Sequence, residues 1–469
     1  MSRSIALLVP DGVGVRNFLL GRLLHAVGRT HCVDVYHLIP DALLGVYRDR
    51  NPAGAGWRPL LPYRETAQTF FVRNALVYAQ MYWADTHAMR FERRRPLGGS
   101  WRYRAARGAA RALGRLASHR AGVERLAAWH RFVVARQREV ERYRRVFREA
   151  RPGVVFATHQ TPLEVLAPVV AARSMGIPTA TFVFSWDNLT TRGYIAAPFQ
   201  HYLVWSEHMR EELLRFHPYV AASGIHIVGT PQFDPYVDTD LLWTRREFCR
   251  RVGAVPDRRI ICFSGGDAGT CPEDHLHLRE LLQQVRDGRI AGSPQVLLRP
   301  SPVDPADRYA GVREEFPELL FARPQWVQSE RSNWSRVFPL PDDLQFLCNL
   351  TYHADLNVNM ASTMTLDFAI RDKPVVNVAF DHASPPRFPG GHWGHYYQFD
   401  HYRPVVALGA ARVARSPADL ATHVNAYLAD PSLDREGRRR LLELEVGQPI
   451  GQATERIAEV LAAIAGGAR

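Results

Sequence analysis

The sequence predicts an α/β protein built as two halves, each a mainly parallel sheet with helices on both faces. Three observations carry this. Short apolar runs bounded by turn residues alternate with helical patterns on both sides of residue 240, as buried parallel strands do. A chain of 469 residues is too long for one core, so two or three domains are expected. Leu347 to Asp381 compresses strand, helix and strand into one unit, with Ala361-Ser362-Thr363 where the first strand gives way to the helix. Such a junction carries unpaired N–H groups and the positive end of the helix dipole, which suits a phosphate. Asp367, a turn further on, is placed to reach a ribose hydroxyl, and the plainer role for these residues is capping.

In chain order, Ser4–Val9 reads as a strand, Pro10 to Gly14 as a glycine turn, Asn17 to Ala26 as a helix and Val33–Leu38 as a second strand. Gly12 and Gly14 give G-x-G without a third glycine, a weak dinucleotide signal. They serve a tight turn or admit a substrate close to the backbone. Asp41 to Arg151 reads as mostly helical. Strands follow at Val154–Ala157, Thr179–Phe184, His201–Val204 and Ile225–Val228, with a helix at Leu163–Met175. Each strand ends in polar residues: Thr158-His159-Gln160, the loop Ser185 to Gly193 containing Trp186-Asp187-Asn188, Ser206-Glu207, and Gly229-Thr230. Ligands of open parallel sheets bind at those ends.

The second half opens with strand Arg259–Phe263 and the loop Ser264-Gly265-Gly266-Asp267, a phosphate-cradling arrangement without the Walker lysine. Strand Gln295–Leu298 ends in Arg299, suited to a phosphate or carboxylate or to a bridge with Asp304 or Asp307. An aromatic and histidine-rich loop, His392 to Tyr397, precedes a strand at Pro404–Leu408, then Val413-Ala414 and a helix from Pro417. The last helix starts near Gln448. Asp238-Thr239-Asp240 is a D-x-D triplet in a Pro-rich connection, expected to cap a helix rather than hold a metal.

Charge is uneven. From Asp85 to Arg148 there are eighteen arginines and five acids, a net +13 against +12 for the whole chain. This basic helical insertion, about 85–150, is suited to an anionic membrane surface or an acidic substrate; nucleic acid is the weaker reading, because no nucleic-acid module is recognisable. Five scattered cysteines and no spanning apolar run fit a cytoplasmic protein, peripheral at most at the inner face of a membrane.

Ser185-Trp186-Asp187-Asn188, Val228-Gly229-Thr230-Pro231-Gln232-Phe233-Asp234, Leu298-Arg299-Pro300, and Ser362-Thr363 to Asp367 with Lys373-Pro374 resemble a bacterial set of GT-B proteins of surface-polysaccharide synthesis, related to the CDP-glycerol glycerophosphotransferases. The resemblance covers roughly 150 to 430. It implies two Rossmann-like domains around an interdomain cleft: 1–240 for the acceptor, 241–445 for a nucleotide-sugar donor, and a helix over 446–469 packing back on the first. It implies a glycosyltransferase working without a bound metal or cofactor, with the nucleotide sugar as substrate and a saccharide or lipid-linked acceptor. Ser264 to Asp267, Arg299 and the Ser362-Thr363 helix start would offset the leaving diphosphate. The base is open among Asp187, His159 and Asp11; Asp187 sits in the most motif-like loop, and histidine is the residue type that titrates near neutrality. The basic histidine motif of the glycerophosphotransferases is replaced by Ser185 to Asn188, so a sugar donor is favoured over glycerol phosphate. A UDP-sugar epimerase-like enzyme and a non-catalytic nucleotide-sugar-binding protein are the other readings.

Overall fold

Seven short strands make the first sheet: β1 (Ile5–Val9), β2 (Val33–His37), β3 (Gly56–Pro59), β4 (Val154–Ala157), β5 (Thr179–Phe182), β6 (His201–Val204) and β7 (Ile225–Ile227). The structure is a computed structural model and describes residues 4–191, 194–305, 307–328, 336–382, 392–447 and 449–467. Every pairing in this sheet is parallel, in the order β3-β2-β1-β4-β5-β6-β7. β1 and β4 are apolar and wholly buried, as strands covered on both faces must be. The strand order reverses between β1 and β4, which sets their C-terminal ends side by side at the switch point of the sheet.

β3 lies within a stretch expected to be helical. Its sequence, Gly-Trp-Arg-Pro, has no apolar alternation, and its burial is only partial because it is the edge strand. The rest of that stretch is helical: Asp41–Arg48, Ala67–Ala84, His87–Arg94, Trp101–Leu116, Arg120–Val134 and Arg138–Ala150.

The second sheet contains β8 (Ile260–Ser264), β9 (Gln295–Arg299), β10 (Leu320–Phe321), β13 (Leu356–Asn359), β14 (Val375–Val378) and β15 (Arg412–Ala414). A separate antiparallel pair is formed by β11 (Trp326–Gln328) and β12 (Val337–Pro339). The six-stranded sheet is parallel throughout, in the order β10-β9-β8-β13-β14-β15, and reverses between β8 and β13. Residues 404–408 do not form the expected strand. Residues 404–407 belong to helix Arg403–Ala407 and Leu408 follows it, with Pro404 in the first turn, where a missing N–H costs nothing. His392 to Tyr397 is not a loop either, because His392–Tyr396 is helical.

The chain divides into two compact units, residues up to Asp234 together with those from Glu445 onward, and Pro235–Leu444. Helix Ala453–Gly466 therefore belongs to the first unit; Gln448, Arg192 and Gly193 lie outside the described residues. The motif ending at Asp234 explains that helix's position. Asp234 accepts from Ala453 N at 3.1 Å, from Thr454 N at 2.8 Å and from the Thr454 hydroxyl at 2.6 Å, which caps the helix. Asp238 accepts from Asp240 N at 3.1 Å and caps the short turn Thr239–Leu241. All five cysteines are free thiols.

Candidate functional site

At the switch point of the first sheet, Asp11 follows β1 and His159 follows β4. Asp11 is buried and its two oxygens have separate partners. Oδ1 accepts from Val13 N at 3.1 Å and Gly14 N at 2.8 Å, capping the helix that begins at Gly12. Oδ2 lies 2.5 Å from His159 Nδ1. An ionised carboxylate only accepts, so Nδ1 carries the proton and Nε2 of a neutral imidazole presents its lone pair. The Thr161 hydroxyl lies 2.8 Å from that Nε2. The Phe184 ring, at the end of β5, sits 4.7 Å from the imidazole and holds its other side. The His159 side chain is 13% exposed against 4% for Asp11, so the imidazole edge is the accessible part of the pair.

Gly12 and Gly14 open this helix. A Cβ on Gly14 would fall 2.4 Å from the Thr158 hydroxyl, so glycine here lets the helix start pack on the end of β4. At Gly14 that space is filled by Thr158 and Val9.

The loop after β5 is built around its own aspartate. Asp187 Oδ1 accepts from the Ser185 hydroxyl at 2.5 Å and from Asn188 Nδ2 at 3.3 Å. Its carbonyl accepts from the N–H and hydroxyl groups of Thr190 and Thr191. Asn188 Oδ1 in turn accepts from Gln160 Nε2 at 2.8 Å, and Gln160 Oε1 from Phe184 N at 3.1 Å, which ties the β4 and β5 ends together. Trp186 is only 2% exposed and packs as core. The motif is thus a cross-braced turn, and Trp186 offers no open face for stacking.

In the second unit the glycine loop after β8 is occupied from within. Gly265 N donates to Arg299 O, Gly266 N to Asp274 Oδ2, Ala268 N to Asp304 Oδ1, and Gly269 N and Thr270 N to Asp267 Oδ1. A phosphate cradle needs these donors free, and here carboxylates take the place expected for phosphate oxygens. Arg308 balances them, donating to Asp304 Oδ2 at 2.7 Å and to Gly266 O at 2.6 Å. Burial still pushes the Asp274 carboxyl far above the usual carboxylate range and Asp304 upward. Gly265, Gly266 and Asp267 therefore form an acid-braced loop, in which protein oxygens already hold the N–H groups expected to meet phosphate.

Arg299 also has a protein partner, neither of the two acids expected. Its Nη2 lies 3.1 and 2.9 Å from the two oxygens of buried Asp343, which also accepts from Gln325 N and Trp326 Nε1. Arg299 Nη1 is buried without a hydrogen bond, and the Phe346 ring lies 5.5 Å from the guanidinium carbon. Asp367 is 3% exposed and accepts from the Tyr236 hydroxyl, so it faces the protein interior rather than a ribose.

Ser362 and Thr363 remain half-exposed at the end of β13, beside the end of β8. A buried asparagine network that the apolar-strand reading passed over fixes their turn. Asn359 Oδ1 accepts from Ser362 N and from Asn377 Nδ2, both at 3.0 Å, while its Nδ2 donates to Asn357 Oδ1 at 2.6 Å. Thr365 and Tyr402 complete the set. Ala361 is held at φ 44, a left-handed conformation unfavourable for alanine, within that network.

No protein-family profile and no curated protein matches the chain. Solved structures do. A UDP-GlcNAc 2-epimerase from Neisseria meningitidis, bound to UDP-GlcNAc, superposes with a TM-score of 0.55 at 10% identity over 98% of this chain and 99% of that one. A UDP-GlcNAc 2-epimerase from Methanocaldococcus jannaschii gives 0.52 at 12% identity over 98% and 99%. A glycosyltransferase from Rickettsia africae gives 0.52 at 10% over the full length of both. The fold is GT-B. The GT-B match spans both parallel sheets, so the switch-point residues of each sheet are ends of a recognised pair of Rossmann-like domains. At these identities the likeness is one of fold.

Proposed function

We propose that this protein is a glycosyltransferase that moves a sugar from a nucleotide-sugar donor to a hydroxyl of a saccharide or lipid-linked acceptor in surface-polysaccharide or glycolipid synthesis. The observation that carries the reading is the Asp11–His159 pair at the first sheet's switch point, with Nε2 already facing a hydroxyl. An acceptor hydroxyl taking the place of Thr161 would give its proton to Nε2 as its oxygen bonds to the anomeric carbon. The bond from that carbon to the diphosphate breaks and its electron pair leaves with the nucleoside diphosphate. Asp11 orients the imidazole and stabilises the imidazolium that forms. On the donor side, the half-exposed Ser362 and Thr363 are the residues of the second unit proposed to meet the diphosphate. Asp187, spent on its own turn, is the weaker candidate for the base.

The test is a panel of nucleoside diphosphates followed by their sugar conjugates. One diphosphate should raise the melting temperature by mass action, and the matching nucleotide sugar should release that diphosphate as its sugar appears on an acceptor. Recovery of an epimerised donor with its nucleotide intact would point to an epimerase. Consumption of CDP-glycerol would point to a glycerophosphotransferase, and binding without turnover to a binding protein.

A further inference from the structure

The helical segment between β3 and β4 exposes side chains that proteins ordinarily bury. Among the described residues, five of the nine exposed large apolar side chains lie between Trp101 and Phe132: Trp101 at 68%, Tyr103 at 42%, Leu116 at 79%, Trp129 at 39% and Phe132 at 57%. On helix Trp101–Leu116 the exposed residues Trp101, Ala105, Ala112 and Leu116 share one face by helical spacing. The opposite face is fixed. Ala110 and Gly114 are buried, and a Cβ on Gly114 would lie 2.7 Å from Ala75 O and Tyr78 Cβ on helix Ala67–Ala84. Helix Arg120–Val134 buries Val123, Leu126 and His130 and exposes Ala121, Ala128, Trp129 and Phe132.

Arginines accompany these faces. Arg102, Arg115, Arg125, Arg131 and Arg136 are exposed, and none has a carboxylate partner among the described residues. The guanidinium of Arg136 lies 3.3 Å from the centre of the Phe132 ring, and that of Arg102 lies 5.4 Å from the Trp101 ring. Between Trp101 and Val134 there is a single acid, Glu124, and Arg120 pairs with it.

We propose that the outer faces of helices Trp101–Leu116 and Arg120–Val134 dock on a bilayer surface rich in anionic lipid. Charge complementarity selects the occupant. Unpaired arginines attract a polyanion of any kind, whereas the exposed Trp, Leu and Phe between them need an apolar layer, and an anionic bilayer offers both. Tryptophan beside arginine is the composition of a membrane–water interface. The contact is with the surface: no helix among the described residues is long and apolar enough to cross a membrane. The inference does not depend on the reaction proposed for the rest of the chain.

The experiment is co-sedimentation of the full chain with phosphatidylcholine vesicles and with vesicles enriched in phosphatidylglycerol, at low and high salt. Binding is expected only to the anionic vesicles and to weaken with salt. It should fall about tenfold or more in Trp101→Ser/Leu116→Ser/Phe132→Ser, and by a similar factor in Arg102→Gln/Arg115→Gln/Arg125→Gln/Arg136→Gln. Melting temperatures should stay near wild type, because the altered side chains are exposed. Three results would overturn the proposal: no binding to anionic vesicles at low salt, equal binding to neutral ones, or binding that survives the apolar triple substitution in a folded protein. The last would leave a purely electrostatic site for an acidic polymer, to be recognised by matching affinity for a soluble polyanion.

Discussion

Asp11 divides two tasks between two oxygens, and one substitution separates them. Asparagine caps a helix about as well as aspartate, so Asp11→Asn should keep the Val13 and Gly14 bonds and the melting temperature. It removes the acceptor that fixes the proton on His159 Nδ1, and turnover should fall by about 10²–10⁴-fold with donor affinity intact. An equal fall in stability would assign Asp11 to the fold alone. Arg299 makes the opposite case. It is the buried partner of Asp343, so Arg299→Ala should destabilise the protein by about 3–5 kcal/mol, read by denaturant unfolding. If stability is unchanged while diphosphate binding weakens, Arg299 is a ligand residue after all. Sequence reading placed Asp11, His159 and Arg299 at strand ends but could not pair them. His159 and Asp11 are 148 residues apart, and Arg299 and Asp343 are 44 apart; such partners are set by sheet order in the first case and by helix packing in the second, which local pattern does not encode.

Most elements were legible because burial on both faces demands apolar runs, as in β1 and β4. Those that were not legible break that condition. β3 is a half-exposed edge with Gly and Pro, and β13 carries Asn357 and Asn359, fully buried because they bond one another and their neighbours. At the scale of helices, two buried histidines make the first unit acid-sensitive: His130 in helix Arg120–Val134 and His217 at the end of helix Glu207–Phe216. Burial, with a smaller contribution from Arg73, lowers His130 from the ordinary 6.5 to about 4, and burial lowers His217 to about 3. Below 6.5 the unfolded chain binds these protons and the folded one resists them. The stabilisation is therefore complete above 6.5 and is lost as pH falls toward 4 and then 3. Melting temperature should drop between neutral pH and about pH 5, and His217→Gln should flatten that drop. An unaltered slope in the variant would place the acid sensitivity elsewhere.

For the molecule as a whole, two parallel sheets each reverse order at their centre, and the alternation of strands and helices made that architecture readable. The glycine loop shows what a local motif leaves out. Asp274 and Asp304, brought in from other segments, fill the donors that a local motif leaves open. His159 is the group proposed to accept the proton. The most direct test is the turnover of His159→Ala at saturating donor, measured alongside donor affinity. A loss of about 10²–10⁴-fold in kcat with unchanged donor binding is expected; full turnover in the folded variant would contradict the role given to His159.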